Sequence, residues 1–418
     1  MAAAAVAVLL LTGCTANAAP AKPVAATPAP CVADPAAVVK AGPSAASADP
    51  LPAELSARLD AAVTAALPNA ATPGALVGVR TPKGTWVKAY GIADPTTGRL
   101  MADHQYQRVG SITKTFTGTL ILQLASEGRL SLSDPISRYV DGMPNGDIVT
   151  VRQLLDMQSG LASYTLDTTW QNTFFSDPHR VWQPDELVAT AKSLKPLFAP
   201  GARYNYSNTN TVLLGKIVER ITGHPVAEEF AGRIVAPLGL TKTSFPGESA
   251  AFPSPHARGY TLQSPDATPE HSVDATDWNP SWGWTAGEMI SSTRDLLAYG
   301  RALGTGQGLL PAKAQIERLS SFPGGRNTYS YGLALGCVGG WVGHTGELPG
   351  YNTTLYYQTD TDTTVTVLTN ADIASGDCTQ STTLKNNPTG IPCSLPAGRL
   401  FQAVAVALGH PFAAPAQQ

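Results

Sequence analysis

The sequence predicts an α+β protein in which an antiparallel sheet, flanked by helices, carries an inserted all-α domain. Strand-like segments occur near both ends of the 418-residue chain, helices with apolar 3.6-residue spacing fill the middle, and we find no internal repeat. A sheet built from both ends must be completed late in the chain. We therefore assign residues 51–110 and 300–410 to the sheet domain, 111–299 to the helical domain and 411–418 to a tail.

The first elements of the sheet domain are predicted to be a helix and a hairpin. Apolar residues with helical spacing predict a helix from Pro52 to Leu67. Two strand-like segments follow, Ala75–Arg80 and Thr85–Gly91, and the turn residues Pro82-Lys83-Gly84 join them.

The middle of the chain is predicted to be helical and its last part to return to the sheet. Helices are predicted at Ser111–Glu127, Val151–Met157, Asp185–Ser193, Thr211–Thr222 and Thr293–Leu303. Gly128, Gly223 and Gly304 are predicted to end three of them. Later strands are predicted at Tyr331–Val338, Gly340–His344, Thr353–Gln358 and Thr363–Thr369, before a helix at Ala397–Leu408. Residues 263–284 have no predicted structure.

The composition excludes several classes of protein. The chain contains 28 Lys and Arg residues and 31 Asp and Glu residues, so its formal net charge is −3. This charge excludes a strongly basic nucleic-acid-binding protein. Hydrophobic residues make up 43% and charged residues 14%, which excludes an intrinsically disordered chain. No apolar run reaches the roughly 18 residues that cross a bilayer. A membrane transporter is therefore excluded, whereas attachment to a membrane is not.

The N-terminal residues indicate export. The apolar stretch from Ala2 to Leu11 has the length of the hydrophobic region of a signal peptide. It runs into Thr12-Gly13-Cys14, which resembles the lipobox of bacterial lipoproteins. Residues 1–13 are then a signal peptide, Cys14 is the lipidation site, and the Ala- and Pro-rich residues 14–50 form an extended tether on the outer face of the cytoplasmic membrane. The alternative is an ordinary secretory signal with a chance cysteine. In both cases the positive n-region is missing or the true start lies upstream, because no Lys or Arg precedes the apolar run.

The remaining cysteines are expected to form two disulfides outside the cytoplasm. Cys31, Cys337, Cys378 and Cys393 allow three pairings, and proximity in the sequence favours Cys378 with Cys393. The alternative is that all are buried thiols.

A serine and a lysine begin the first long helix. Ser111-Ile112-Thr113-Lys114 is the only S-x-x-K in the chain, and its two functional side chains share one helical face. A serine hydroxyl needs a base to become a nucleophile, and a desolvated lysine amine can supply one. The helix N-terminus adds N–H donors where an oxyanion would form. The alternative is a helix cap beside a surface charge.

Two further motifs lie far away in the sequence. Tyr206-Ser207-Asn208 is the only Y-x-N and precedes a predicted helix, whereas His344-Thr345-Gly346 is the only H-x-G and ends a predicted strand; no K-T-G occurs. Each has a structural explanation, a turn over a buried aromatic ring for the first and a strand ending in a glycine turn for the second. Only a tertiary fold can bring the three motifs together.

In order and context, the three motifs resemble the active-site motifs of the serine β-lactamase and penicillin-binding protein superfamily, class C branch. The similarity extends from about Ala75 to Leu408 and includes Ser159-Gly160-Leu161 and Pro237-Leu238-Gly239-Leu240. The architecture of that superfamily, an antiparallel sheet flanked by helices with an inserted helical domain, agrees with the fold predicted from periodicity.

The resemblance implies that Ser111 is the nucleophile of a serine hydrolase. Lys114 and Tyr206 are then a proton-transfer pair, and the acylation base is either a Tyr206 phenolate or a neutral Lys114 amine. His344 is expected to close the hydrogen-bond network through Tyr206.

The resemblance also implies how substrate is bound. Asn208 hydrogen-bonds the substrate amide, and the strand with Thr345 and Gly346 lies along the substrate. The backbone N–H groups of Ser111 and Glu347 form the oxyanion hole. Trp282 has two open interpretations, an aromatic wall of the cleft or a core residue.

Because it has histidine at position 344, the third motif resembles that of secreted actinobacterial D-alanyl-D-alanine carboxypeptidases, and of related esterases and aminopeptidases, more than that of the class C β-lactamases. The carboxypeptidase pattern places a hydroxyl residue after H-T-G and an arginine in the preceding strand, and both hold the terminal carboxylate of the substrate. Here Glu347 takes the first position, and residues 331–343 contain no Arg or Lys. Two carboxylates 4 Å apart repel by about 1 kcal/mol in water. A D-alanyl peptide of the cell wall is the expected substrate, narrowly ahead of an ester.

Other readings stay open. Within the family these are an esterase, a β-lactamase or a D-aminopeptidase acting on peptide, ester or β-lactam substrates, and outside catalysis a penicillin-binding or partner-binding lipoprotein. We expect a monomer. No metal or cofactor is predicted, because the histidines show no paired spacing and the cysteines no C-x-x-C.

Overall fold

A computed structural model describes residues 29–41 and 49–412. The predicted signal peptide, the lipidation site Cys14 and residues 413–418 of the predicted tail lie outside the described residues. In the part of the chain that the structure describes, no helix combines the length and the apolar character needed to span a bilayer.

An antiparallel sheet of eight strands forms the centre of the protein. The strands in chain order are β1 (Gly74–Thr81), β2 (Gly84–Asp94), β3 (Arg99–Leu100), β4 (Tyr106–Arg108), β5 (Tyr260–Thr261), β6 (Val273–Asp274), β7 (Ile290–Ser292), β8 (Ser330–Tyr331), β9 (Gly336–Val338), β10 (Trp341–Leu348), β11 (Tyr351–Gln358) and β12 (Thr363–Thr369). Their order across the large sheet is β3-β2-β1-β12-β11-β10-β9-β8, while β4 pairs with β7 and β5 with β6.

Strands from both ends of the chain meet in the middle of this sheet. β1 pairs antiparallel with β12, with Ala75 opposite Thr369 and Val79 opposite Val365. The predicted fold, an antiparallel sheet completed late in the chain and flanked by helices, is therefore confirmed.

Helices cover both faces of the sheet. They are α1 (Pro35–Lys40), α2 (Ala53–Ala66), α3 (Thr113–Ser126), α4 (Val151–Leu155), α5 (Thr168–Ser176), α6 (Pro184–Ser193), α7 (Asn208–Thr222), α8 (Val226–Phe230), α9 (Thr293–Thr305), α10 (Ala312–Leu319) and α11 (Pro396–Ala407). The valines of the alternating Thr/Val strand β12 pack with Leu59 of α2 and Phe401 of α11 in one apolar cluster. Burying such a side chain contributes about 1.5–3 kcal/mol, so this alternation fixes which face of β12 meets the helices.

Helix α9 packs on the opposite face of the sheet. A Cβ on Gly78 of β1 would lie 2.6 Å from Thr293, and one on Gly300 would lie 2.7 Å from Leu355 of β11. Since α9 begins at Thr293 and belongs to the sheet layer, the predicted domain boundary at residues 299 and 300 falls inside a helix.

The predicted glycine end of α9 was wrong. The helix continues to Thr305, and Gly306, with a φ of +79°, is its C-cap. Gly304 lies inside the helix, and a Cβ there would sit 2.1 Å from the ring of Tyr357. The absence of a side chain at Gly304 serves close packing rather than chain reversal.

Part of the predicted tether packs on the sheet domain. Cys31 forms a disulfide with Cys337 of β9, and α1 contacts α9 and α10. Val32 and Val38 are buried in a small apolar cluster with Val342. Burial of these apolar side chains lowers the free energy of the folded state, so residues 29–41 pack on the sheet domain. The extended tether predicted for residues 14–50 is therefore wrong at residues 29–41.

Two other expectations concern the last third of the chain. The strand predicted at Tyr331–Val338 is broken into β8 and β9, with Ala334 between them at a φ of +57°. The favoured disulfide between Cys378 and Cys393 is present, and it leaves Cys31 with Cys337 as the second pair.

Replacing both Cys31 and Cys337 by alanine is expected to lower the free energy of unfolding by about 2–5 kcal/mol, because the bond constrains a long loop of the unfolded chain. The cysteines are 306 residues apart, whereas Cys378 and Cys393 are only 15 apart. Urea unfolding followed by circular dichroism measures the loss. The double alanine variant of Cys378 and Cys393 is the matched control, and a larger loss in that control would contradict the prediction.

Candidate active site

The start of α3 holds Ser111 directly above Lys114. A 3-10 turn over Gly110–Ile112 leads into α3, and almost every side chain of α3 is buried, so this helix end has little freedom to move. Lys114 is 1% exposed, and its Nζ lies 2.9 Å from Ser111 Oγ. The same Nζ donates to the carbonyl oxygen of Ala286 at 2.7 Å. These two contacts hold the amine of Lys114 next to the hydroxyl of Ser111.

Tyr206 and Asn208 lie near Ser111 and Lys114, at the start of α7, which packs against α3. The ring centre of Tyr206 lies 4.9 Å from Lys114 Nζ. Asn208 is the first residue of α7, and it lines the same cavity as Ser111 and Tyr206. The first two motifs therefore meet in space although the sequence separates them widely.

Strand β10 crosses the turn before Ser111 in direct contact. A Cβ on Gly346 would lie 1.9 Å from the carbonyl oxygen of Val109 and 3.2 Å from the backbone nitrogen of Ser111. A Cβ on Gly110, whose φ is +55°, would lie 2.4 Å from the backbone nitrogen of Glu347. The two backbone N–H groups that an oxyanion hole requires, those of Ser111 and Glu347, thus lie on two chain segments in contact.

The third motif lies along the open edge of the sheet. β9 pairs with β10 only along residues 341–343. The following residues, His344, Thr345 and Glu347, line the cavity together with Ser111. An extended substrate can therefore lie against this edge of β10.

The hydrogen bonds of His344 differ from the expectation. Its ring is 5% exposed; Nδ1 donates to the carbonyl oxygen of Thr345, and Nε2 accepts from the hydroxyl of Tyr331 at 3.1 Å. Its ring centre is 6.1 Å from that of Tyr206 at an angle of 49°. Among the described residues, His344 has no hydrogen bond to Tyr206, because Tyr331 of β8 already occupies Nε2.

Burial favours the neutral forms of all three ionisable groups. It lowers the pKa of Lys114 well below its ordinary value and raises the pKa of Tyr206, although a hydrogen bond with Ser111 acts the other way on the phenol. Burial, helped by the charge of Lys114, also lowers the pKa of His344 to about 3. Burial therefore favours the uncharged amine, phenol and imidazole around the nucleophile.

A cavity of about 1300 Å³ opens above Ser111. Trp282 lines it and also packs on Trp170 and Phe174, with ring centres 5.8 Å and 5.4 Å away, so this residue contacts both the cavity and the core. Among the described residues that line the cavity, three carry carboxylates, Glu347, Asp372 and Asp377, and none is Lys or Arg. The wall of the cavity is therefore acidic.

Two residues of this wall were missed from the sequence. The Nε2 of Gln263 donates to Glu347 at 2.8 Å and to Asp372 at 2.7 Å. Asp372 follows the end of the buried strand β12, and a polar side chain at that position is a signal that could have found it. Gln263 lies in a segment without periodicity, and no sequence signal points to it.

The sequence model of the beta-lactamase family matches residues 59–382. Among curated proteins, a putative penicillin-binding protein, PbpX, of Bacillus subtilis (strain 168) is 27% identical over 244 residues, which are 58% of this chain and 56% of that protein. Protein flp of Staphylococcus aureus (strain COL) is 33% identical over 50% of this chain and 41% of its own length. The chain thus spans about half the length of the curated relatives it matches.

A solved structure resembles a larger share of the chain. A D-stereospecific amidohydrolase from Streptomyces sp. is 35% identical, with a TM-score of 0.69 over 76% of this chain and 94% of that one. The D-amino acid amidase from Ochrobactrum anthropi SV3, complexed with D-phenylalanine, has a TM-score of 0.72 at 25% identity, over 84% of this chain and 99% of that one. With the family match over most of the sequence and the three motifs in one cavity, the chain belongs to the beta-lactamase family of serine hydrolases.

Proposed function

We propose that this protein is a serine amidohydrolase that forms an acyl-enzyme on Ser111 and hydrolyses amide bonds formed by the carboxyl group of D-amino acid residues, with D-alanyl peptides first. The observation that carries the proposal is the buried Lys114 amine 2.9 Å from Ser111 Oγ, beneath the edge of β10. The similarity to the D-stereospecific amidohydrolase from Streptomyces sp. supports the choice of amide bond and of stereochemistry.

In the proposed reaction, Ser111 Oγ attacks the carbonyl carbon while its proton passes to neutral Lys114. The carbonyl oxygen takes up the negative charge and accepts hydrogen bonds from the N–H groups of Ser111 and Glu347, each worth about 3–4 kcal/mol of barrier. The C–N bond then breaks as Tyr206 gives its proton to the leaving nitrogen and recovers one from Lys114. Water hydrolyses the acyl ester by the reverse sequence of proton transfers.

The electrostatics support a neutral amine as the acylation base. Burial disfavours both the Lys114 ammonium and the Tyr206 phenolate. The amine pKa is lowered, so activity should fall as the pH drops through that pKa, where Lys114 becomes protonated and cannot accept a proton.

The two candidate bases can be distinguished with leaving groups of different basicity. Lys114→Met should reduce kcat/KM about 100-fold or more for both N-acetyl-D-alanine amide and the p-nitrophenyl ester. Tyr206→Phe should do so for the amide only, because p-nitrophenolate leaves without a proton. Equal losses with Tyr206→Phe on both substrates would mean that the phenol is the base.

The acidic wall supports substrates without a free terminal carboxylate. A D-alanyl-D-alanine carboxypeptidase must bind that carboxylate, and in the described part of the cavity lining no Lys or Arg is available for it. Within the proposed class, amides and internal D-alanyl peptide bonds are therefore favoured over a C-terminal D-alanine.

The proposal is tested by comparing N-acetyl-D-alanine amide with its L enantiomer and with p-nitrophenyl acetate. Faster hydrolysis of the D amide than of the L amide supports it. Turnover of the ester alone would make the protein an esterase. A fluorescent penicillin that is hydrolysed and rapidly released, without amide turnover, would make it a β-lactamase. Absence of both labelling and turnover would make it a binding module.

A further inference from the structure

The carboxylates of Glu347 and Asp372 share one neutral donor. A single nitrogen, Nε2 of Gln263, hydrogen-bonds an oxygen of each carboxylate at 2.8 Å and 2.7 Å. The hydroxyl of Thr261 donates to the same Asp372 oxygen at 2.9 Å. One amide nitrogen thus bridges the two acids. Because the amide is neutral, it compensates the negative charge of neither carboxylate.

The charge of this pair is not compensated by the described residues. No Lys, Arg or His among them forms an ion pair with either carboxylate. Asp372 is only 5% exposed, and its Oδ1 has no hydrogen-bond partner among these residues. A buried, unpaired carboxylate oxygen costs about 1–3 kcal/mol or more. The charge of a cation held in the cavity would offset part of that cost.

The pair lines the same cavity as the proposed nucleophile. Glu347 is the residue whose backbone nitrogen meets Gly110 at the proposed oxyanion hole, and both acids line the cavity with Ser111. Burial, followed by the charge of Glu347, raises the pKa of Asp372, and enclosure in the cavity raises that of Glu347. Protonation of one of the two acids, or a cation held beside them, would therefore relieve their mutual repulsion.

The chemistry of the pair selects one kind of cation. In the described part of the chain, no group of three His, Cys, Asp or Glu side chains could hold a metal ion. A primary ammonium has three N–H donors, which match the solvent-accessible carboxylate of Glu347 and the adjacent carboxylate of Asp372. We propose, on the basis of the proposed function, that Glu347 and Asp372 form a subsite for a primary ammonium group of the substrate.

Four D-alanine derivatives test the subsite. N-acetyl-D-alanine is joined to a 2-aminoethylamide, an n-propylamide or glycine, giving cationic, neutral and anionic leaving groups of similar size. D-alanine n-propylamide carries its ammonium on the acyl side instead. We expect kcat/KM for one of the two cationic substrates to exceed that of N-acetyl-D-alanine n-propylamide about tenfold or more, the value of one charge-assisted hydrogen bond. The preferred substrate then identifies the side of the scissile bond that the subsite serves.

Charge-removing variants connect the preference to these side chains. Glu347→Gln and Asp372→Asn should each reduce the preference for the cationic substrate several-fold, and Glu347→Thr should improve cleavage of N-acetyl-D-alanyl-glycine. Asp266→Asn removes an equal charge from an exposed site on the loop of Gln263 and is expected to leave the preference unchanged. Equal rates for cationic and neutral substrates, or a preference unaffected by Glu347→Gln, would overturn the subsite. If the wild-type protein hydrolyses none of the four substrates, the proposed function is overturned instead.

Discussion

Ser111→Ala is expected to abolish acyl-enzyme formation and to reduce kcat/KM about 10⁴-fold or more, because among the described residues Ser111 carries the hydroxyl that contacts the Lys114 amine. The neighbouring hydroxyl of Thr113 donates to the carbonyl oxygen of Gly110, which holds it away from Lys114. The intact mass of the protein after incubation with a fluorescent penicillin measures the covalent step, and amide hydrolysis measures turnover.

The control for this variant is Ser193→Ala, at the exposed end of α6. It should keep wild-type activity, and both variants should unfold at temperatures close to that of the wild type. Retention of more than a few per cent of activity by Ser111→Ala would refute the assignment of the nucleophile.

Gly346→Ala is expected to have the second largest effect on activity. The added Cβ would sit 1.9 Å from the carbonyl oxygen of Val109, and no rotamer change can relieve a clash with backbone. β10 must therefore move away from the turn before Ser111, which separates the two oxyanion donors. Loss of one such donor costs about 10²–10³ in kcat, and we expect a loss of at least that size.

A matched control exists in Gly232, where an added Cβ would meet nothing within 4 Å. Gly232→Ala should leave both activity and stability close to wild type. Rates of amide hydrolysis and thermal unfolding of the two variants separate catalysis from folding. A Gly346→Ala protein with wild-type kcat would mean that the crossing of β10 over Gly110 is not needed for the reaction.

The sheet could be predicted because its strands carry a strong local signal. In β12 the alternation of Thr and Val sorts the side chains onto two faces, and the valines face α2 and α11. Short or broken strands carry no such signal. The break between β8 and β9 depends on a backbone turn at Ala334, and the burial of Val32 and Val38 depends on a groove formed by distant residues.

The site was predictable to the extent that short motifs determine geometry. Ser111 and Lys114 share a helix turn, so their contact follows from spacing alone. The partner of His344 does not, because Tyr331 reaches it across β9 from another strand. Gln263 bridges Glu347 and Asp372 from a loop, and a contact between three distant segments leaves no trace in any one of them.

The pairing of β1 with β12 sets an order of events during synthesis. Ser111 and helix α3 leave the ribosome early. β1 can pair with β12 only after a strand near the end of the chain has been made, and contacts between such distant residues form slowly. Until β12 has joined the sheet, β11 and β10 have no strand that connects them to β1. We therefore expect the sheet beneath the candidate site to be complete only after β12 has been made, and a nascent chain halted before Thr363 would lack the strand between β1 and β11.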